Sequence, residues 1–106
     1  MICRVVTSYS FDERFKLAVE YRLGYVNIRS AQKLIAALER AITLLAQTPY
    51  IGALVDKESS EPQPEDLRWL VLDSYILVYQ PHAAKSIVML EDIFYSSEDW
   101  RSIVSN

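Results

Sequence analysis

The chain has 106 residues, a hydrophobic fraction of 51%, a charged fraction of 24% and a formal net charge of −3. That length suits a single domain, 1–106, able to bury roughly two-thirds of the surface its unfolded chain exposes. The acidic balance argues against a general nucleic-acid binder, which would be basic, and no run of about 18 apolar residues marks a membrane span.

The start, Met1-Ile2-Cys3-Arg4, turns polar too early for a signal peptide. Cys3 is the one cysteine and cannot form an internal disulfide, so a reducing cytoplasm is the expected setting. Cys3 is read as a small buried strand residue. Arg4-Val5-Val6-Thr7 is β-branched and reads as a first strand. Ser10 followed by Glu13 has the form of a capping box for a first helix. That helix carries Phe11, Phe15, Ala18, Val19 and Arg22 on one side. Gly24 ends it or lies just beyond. Asn27 can cap a second helix, whose apolar stripe is Ile28, Ala31, Leu34, Ile35, Leu38, Ala41, Ile42 and Leu45. Pro49 stops it.

Residues 50–66 read as an exposed loop, with Asp56, Glu58, Glu61, Glu65 and Asp66 against a single Lys57. By contrast, residues 1–47 hold seven cations and four acids. Strands are expected at about 67–72, 75–80 and 86–94. Asp73-Ser74 suits a two-residue hairpin turn, and Pro81-His82-Ala83-Ala84-Lys85 a longer one. Residues 99–104 can add a short helical turn. The implied architecture is α+β: an N-terminal strand, an antiparallel helix hairpin and an antiparallel meander, in the order β-α-α-β-β-β. The strands are apolar on both faces. One face would pack on the helices and the other would stay exposed, as partner sites do.

Little in the chain points to catalysis. A lone turn histidine, His82, offers no metal set. Glu91 and Asp92 are adjacent and so point to opposite faces of a strand, a poor pair for acid–base work. No phosphate-binding glycine loop or nucleophile triad occurs, and neither cofactor nor metal is expected.

The order of elements, with Pro49-Tyr50-Ile51-Gly52 after the second helix, Leu67-Arg68 opening a strand, Tyr75 and Tyr79 in the next, and Ile93-Phe94-Tyr95 then Asp99-Trp100 at the end, resembles the ParE/RelE toxins of type II toxin–antitoxin modules. The resemblance covers most of the chain. It implies an α+β fold and a cognate antitoxin whose C-terminal segment wraps the toxin surface, with a homodimer or a toxin–antitoxin hetero-oligomer as the open assemblies.

Two activities occur within that family. RelE-like members cleave ribosome-bound mRNA, which needs strand cations and an acid–base group. Here Ile76 stands where they carry Arg, and Ser96, Ser97 and Glu98 where they are basic. Arg68 and Tyr95 are the catalytic candidates if the chain is RelE-like. ParE-like members poison DNA gyrase, and the Leu67-Arg68 start and the Ile76-Leu77-Val78 strand resemble that branch more closely. The resemblance implies partner contacts at Trp69, Asp92, Trp100 and Arg101. Asp92 and Glu98 reverse the charge usual in the family, which leaves open a member that only binds its antitoxin. Each of these residues also has a structural reading. Arg68 could pair with Glu65, Asp66 or Asp73, Trp69 could be core, Tyr95 could be a rim aromatic, and Trp100 and Arg101 could form a loosely packed tail.

Overall fold

A computed structural model describes residues 2–58 and 60–105. Its elements are β1 (Arg4–Thr7), α1 (Tyr9–Tyr25), α2 (Ile28–Gln47), β2 (Ala53–Leu54), β3 (Arg68–Leu72), β4 (Tyr75–His82), a 3-10 turn (Ala83–Lys85), β5 (Ile87–Tyr95) and α3 (Trp100–Ser105). The five strands form one sheet in the order β1-β5-β4-β3-β2. The meander β3-β4-β5 is antiparallel, as the strand spacing implies, and β1 joins it parallel to β5. The sheet is therefore mixed. The two-residue β2, within the stretch read as loop, adds a short antiparallel edge on Arg68 and Trp69.

α1 starts earlier than its capping-box signal. Ser8, not Ser10, is the N-cap, and its hydroxyl accepts from the Phe11 N–H at 3.0 Å. The same hydroxyl donates to the Glu91 carbonyl at 2.6 Å, and the Ser8 N–H donates to Leu90. Ser8 thus caps the helix and ties it to β5, a long-range gain that Ser10 cannot match. Gly24 lies inside the last turn of α1. Asn27 caps α2 through the Ser30 N–H at 2.7 Å, as its position suggests.

The helix hairpin covers one face of the sheet. Phe11 and Ala18 of α1 and Leu34, Ala41 and Leu45 of α2 meet Leu72, Tyr75, Leu77, Tyr79, Val88, Leu90 and Ile93, with Cys3 at the margin. Tyr75, Leu77 and Tyr79 share this face because they alternate along β4. Ile28, read as part of the α2 stripe, is exposed instead, because the helix begins beyond the edge of the core.

Two polar contacts fix this packing. Arg22 of α1 is 8% exposed and reaches the β3–β4 turn, where its guanidinium meets both carboxylate oxygens of Asp73 at 3.2 Å. That bond raises the Arg22 pKa and lowers that of Asp73. Asp73 adopts a positive φ of 57°, a conformation Asp tolerates better than most residues. At the far end the Tyr79 hydroxyl accepts from the Gly52 N–H at 2.8 Å, and burial pushes its pKa up. A Cβ on Gly52 would lie 2.7 Å from the Trp69 carbonyl oxygen and 2.7 Å from the Tyr79 hydroxyl, so only glycine fits there.

Candidate functional site

The second face of the sheet is not left bare. Ile76 and Val78 of β4 and Phe94 of β5 are buried beneath Trp100, with Trp69, Leu67, Val55 and Val104 packed around them. Alternation along the strands correctly gives an apolar outer face; what it cannot show is that α3 folds back as its cover. Among the large apolar side chains of that face, Val71 stays exposed because it lies beyond the cover. Trp100 is buried at 8% exposure, so it is neither a loose tail nor a freely presented contact.

Three of the four partner-binding candidates converge here. The Trp69 and Trp100 rings lie 5.5 Å apart. The Arg101 guanidinium sits 4.8 Å from the Trp100 ring centre and 5.6 Å from that of Trp69, and also donates to the Val55 carbonyl at 3.2 Å. Such stacking pins an arginine by both charge and area. The Trp69 indole N–H is buried without a hydrogen-bond partner among the described residues, a strained feature for a purely structural tryptophan.

Asp92, the fourth candidate, opposes Val78 across the β4–β5 ladder on this outer face. Its carboxylate pairs with the Arg14 side chain of α1 at 3.2 Å, and Glu98 lies 3.9 Å from the same guanidinium. Arg14 also stacks 4.7 Å from the Phe94 ring centre. One cation therefore answers both reversed charges. Glu98 additionally accepts from the Tyr95 N–H at 3.0 Å, closing the turn into α3. Sequence reading missed Arg14 altogether. Nothing local pointed to it, because its partners lie about eighty residues on.

The catalytic candidates are not brought together. Arg68 opposes Tyr79 and Tyr95 opposes Tyr75, so four residues of β4, roughly 13 Å of strand, separate their positions. Arg68 forms none of the salt bridges considered for it. It donates to the carbonyls of Tyr50 at 3.1 Å and Gly52 at 2.8 Å and lies over the Tyr50 ring, clamping the link between α2 and β2. Carbonyls win over the nearby acids because the β2–β3 pairing carries that link directly beside the guanidinium. Tyr95 is half-exposed and edge-on to Tyr75 at 5.3 Å, as a rim aromatic would be.

Beside α3 lies an open groove of about 760 Å³, lined by Val55, Leu67, Gln80 and Val104, by the acids Asp56, Glu58, Glu65 and Asp66, and by the cations Lys57 and Arg101, so that acids outnumber cations. His82 stands near it. It closes β4 rather than occupying the turn, is half-buried, and lies 3.9 Å from Glu65. Burial raises the pKa of Glu91, on the neighbouring strand. Among the described residues no three His, Cys, Asp or Glu side chains form a metal-binding group, and no helix is long and apolar enough to cross a membrane.

A solved structure shares this fold. The chain is similar to a chain of the chromosomal ParDE toxin–antitoxin system from P. aeruginosa, with 12% identity and a TM-score of 0.65 over 89% of this chain and 96% of that one. At that identity the likeness concerns the fold. No curated protein sequence matches the chain. The model of the family described as the ParE toxin of type II toxin-antitoxin system, parDE, matches residues 7–100, from the end of β1 to the first residue of α3. With nearly the whole chain inside that match, this protein belongs to the ParE toxin family of type II toxin–antitoxin systems.

Proposed function

We propose that this chain is a toxin that stops bacterial growth by binding DNA gyrase in the cytoplasm, performs no chemistry of its own, and is neutralised by a cognate antitoxin. The observation that carries this reading is the fate of Arg68. A phosphate-binding strand cation must be free to meet RNA, whereas Arg68 is spent on two backbone carbonyls and stands far along the sheet from Tyr95. Ile76, where an RNA-cleaving relative would carry Arg, is buried under α3. Family membership supplies the antitoxin expectation. The surface we assign to it is the rim of α3, where Arg101 lies over Trp69 and Trp100 beside the acidic groove; a basic antitoxin segment would complement Asp56, Glu58, Glu65 and Asp66.

Pulse-labelling after induction without the antitoxin tests this. Thymidine incorporation falling before methionine incorporation supports gyrase as the target. Methionine falling first favours the RelE-like reading, cleavage of mRNA on the ribosome. A second reading, a member that binds its antitoxin without toxicity, is favoured by the Arg14 contacts, which consume the charge at Asp92 and Glu98. Its signature is tight antitoxin binding with no effect on either label.

A further inference from the structure

β3 is an open edge along part of its length. Leu72 and Tyr75 flank the two-residue turn at Asp73-Ser74 and so exchange both of their backbone bonds. Bonding direction alternates along a strand. Leu70 and Arg68 therefore also bond toward β4, while Trp69 and Val71 turn their N–H and C=O outward. β2 meets Trp69 through Ala53 and reaches no further along β3. The N–H and C=O of Val71 have no partner among the described residues, and its side chain is 64% exposed. A strand edge with a free donor and acceptor is a template for another extended chain.

α2 supplies a second, independent feature. An open groove of about 230 Å³ runs between Arg40 and Leu44 of α2 and Leu70, Val71 and Leu72 of β3, with Asp73 at one end. The Asp73 carboxylate is already held by Arg22. At helical spacing Arg29, Lys33 and Arg40 fall within about 40° of one another and form a ridge roughly 16 Å long. All are exposed, and none forms an ion pair among the described residues. Lys33 lies close enough to Asp73 to help lower its pKa, which sets the ridge along the β3 edge. Glu39, the one acid of α2, points about 100° around the helix from Arg40. On a chain of net charge −3, this row of cations calls for acids from outside.

We propose that the β3 edge at Val71 and the α2 ridge together form a docking site for an acidic, extended segment of a partner protein, taken up as an added strand. In such docking the backbone pairing gives affinity and alternate side chains give specificity. Side chains alternate between the two faces. The partner residue opposite Val71 is therefore apolar and lies beside it on the outer face, while its two neighbours are acidic and face Arg40 and Lys33. A phosphate could answer the cations and the Val71 N–H, but it has no donor for the Val71 carbonyl, so a peptide is the better match. The site lies beyond α3 and depends neither on gyrase as the target nor on the surface assigned to the antitoxin.

An NMR titration of the folded, isotope-labelled chain tests this, with a short end-blocked peptide alternating glutamate and valine as the probe. Saturable binding is expected, with the Val71 amide shifted and its hydrogen exchange slowed about tenfold. Arg40→Glu should weaken binding about tenfold. Val71→Pro should weaken it at least as much while thermal melting stays near the parent, because the N–H it removes bonds nothing in the fold and an edge strand tolerates proline. The same peptide N-methylated at its valines keeps its charge and should also bind about tenfold more weakly, a check that does not depend on how the proline variant folds. Absence of binding overturns the proposal. So does a lysine-valine peptide that binds equally well, or a methylated peptide that binds as tightly as the parent peptide. An oligonucleotide that occupies the ridge in preference to the peptide and leaves the Val71 amide unprotected overturns it too, since the ridge would then be a phosphate site.

Discussion

Arg22 of α1 and Asp73 of the β3–β4 turn meet in a two-armed contact, each arm 3.2 Å, with both side chains about nine-tenths buried. The contact joins the helix hairpin to the far end of the sheet and holds the turn from which β4 begins. Asp73→Asn should cost about 3 kcal/mol in urea unfolding at neutral pH, because it leaves the Arg22 charge buried and unpaired. The sign of the pH dependence follows from Asp73, whose pKa the Arg22 hydrogen bond lowers in the fold. Its stabilisation is full above the unfolded carboxylate value of about 3.9 and is lost as pH falls through the lower folded value. The gap between parent and variant should therefore close on acidification below about pH 4, with no change between pH 6 and 8.

Gly52 and Tyr79 should be nearly as intolerant of change. Gly52→Ala drives a methyl into the Trp69 carbonyl and is expected to destabilise by several kcal/mol. Tyr79→Phe strands the Gly52 N–H in a buried site and should cost about 1–3 kcal/mol. Thermal melting of the two variants would show the glycine effect as the larger.

Trp100 closes the outer face, and its removal should uncover it. Trp100→Ala is expected to cost about 3–5 kcal/mol and to raise binding of a dye that reports exposed apolar surface. A variant with parent stability and no added dye binding would mean that α3 does not cover Ile76, Val78 and Phe94 in solution.

Tyr95 and Arg68 separate binding from catalysis. Tyr95→Phe keeps the aromatic contact with Tyr75 and removes only the hydroxyl, so growth arrest should be unchanged. Arg68→Ala should reduce toxicity only in proportion to lost folded protein, since it frees the carbonyls of Tyr50 and Gly52. Comparing arrest with the soluble folded fraction distinguishes that from a chemical role; full loss of toxicity in a well-folded Tyr95→Phe variant would point to an enzyme.

The fold was largely legible because its signals are local and periodic. The α2 stripe, the Asn27 cap, the two-residue turn at Asp73-Ser74 and the alternation of Tyr75, Leu77 and Tyr79 each follow from spacing along a few residues. What escaped depends on pairing across the chain. Ser8 beats Ser10 as a cap only because β5 offers it a carbonyl. β2 is two residues long and exists through its ladder to β3. α3 as a lid, Arg14 as the partner of two distant acids and Arg68 as a loop clamp likewise rest on which segments the sheet brings together. Charge reversal at Asp92 and Glu98 was visible in the sequence, while its compensation by Arg14 was not.

Gyrase binding is the action proposed for this ParE-family chain. The most direct measurement adds purified chain to DNA gyrase and relaxed plasmid and follows supercoiling, with and without the antitoxin. Supercoiling that falls as the chain is titrated and returns with antitoxin is the expected result. Undiminished supercoiling at a large excess of folded chain, with ribosome-bound mRNA cut in a parallel reaction, would contradict it.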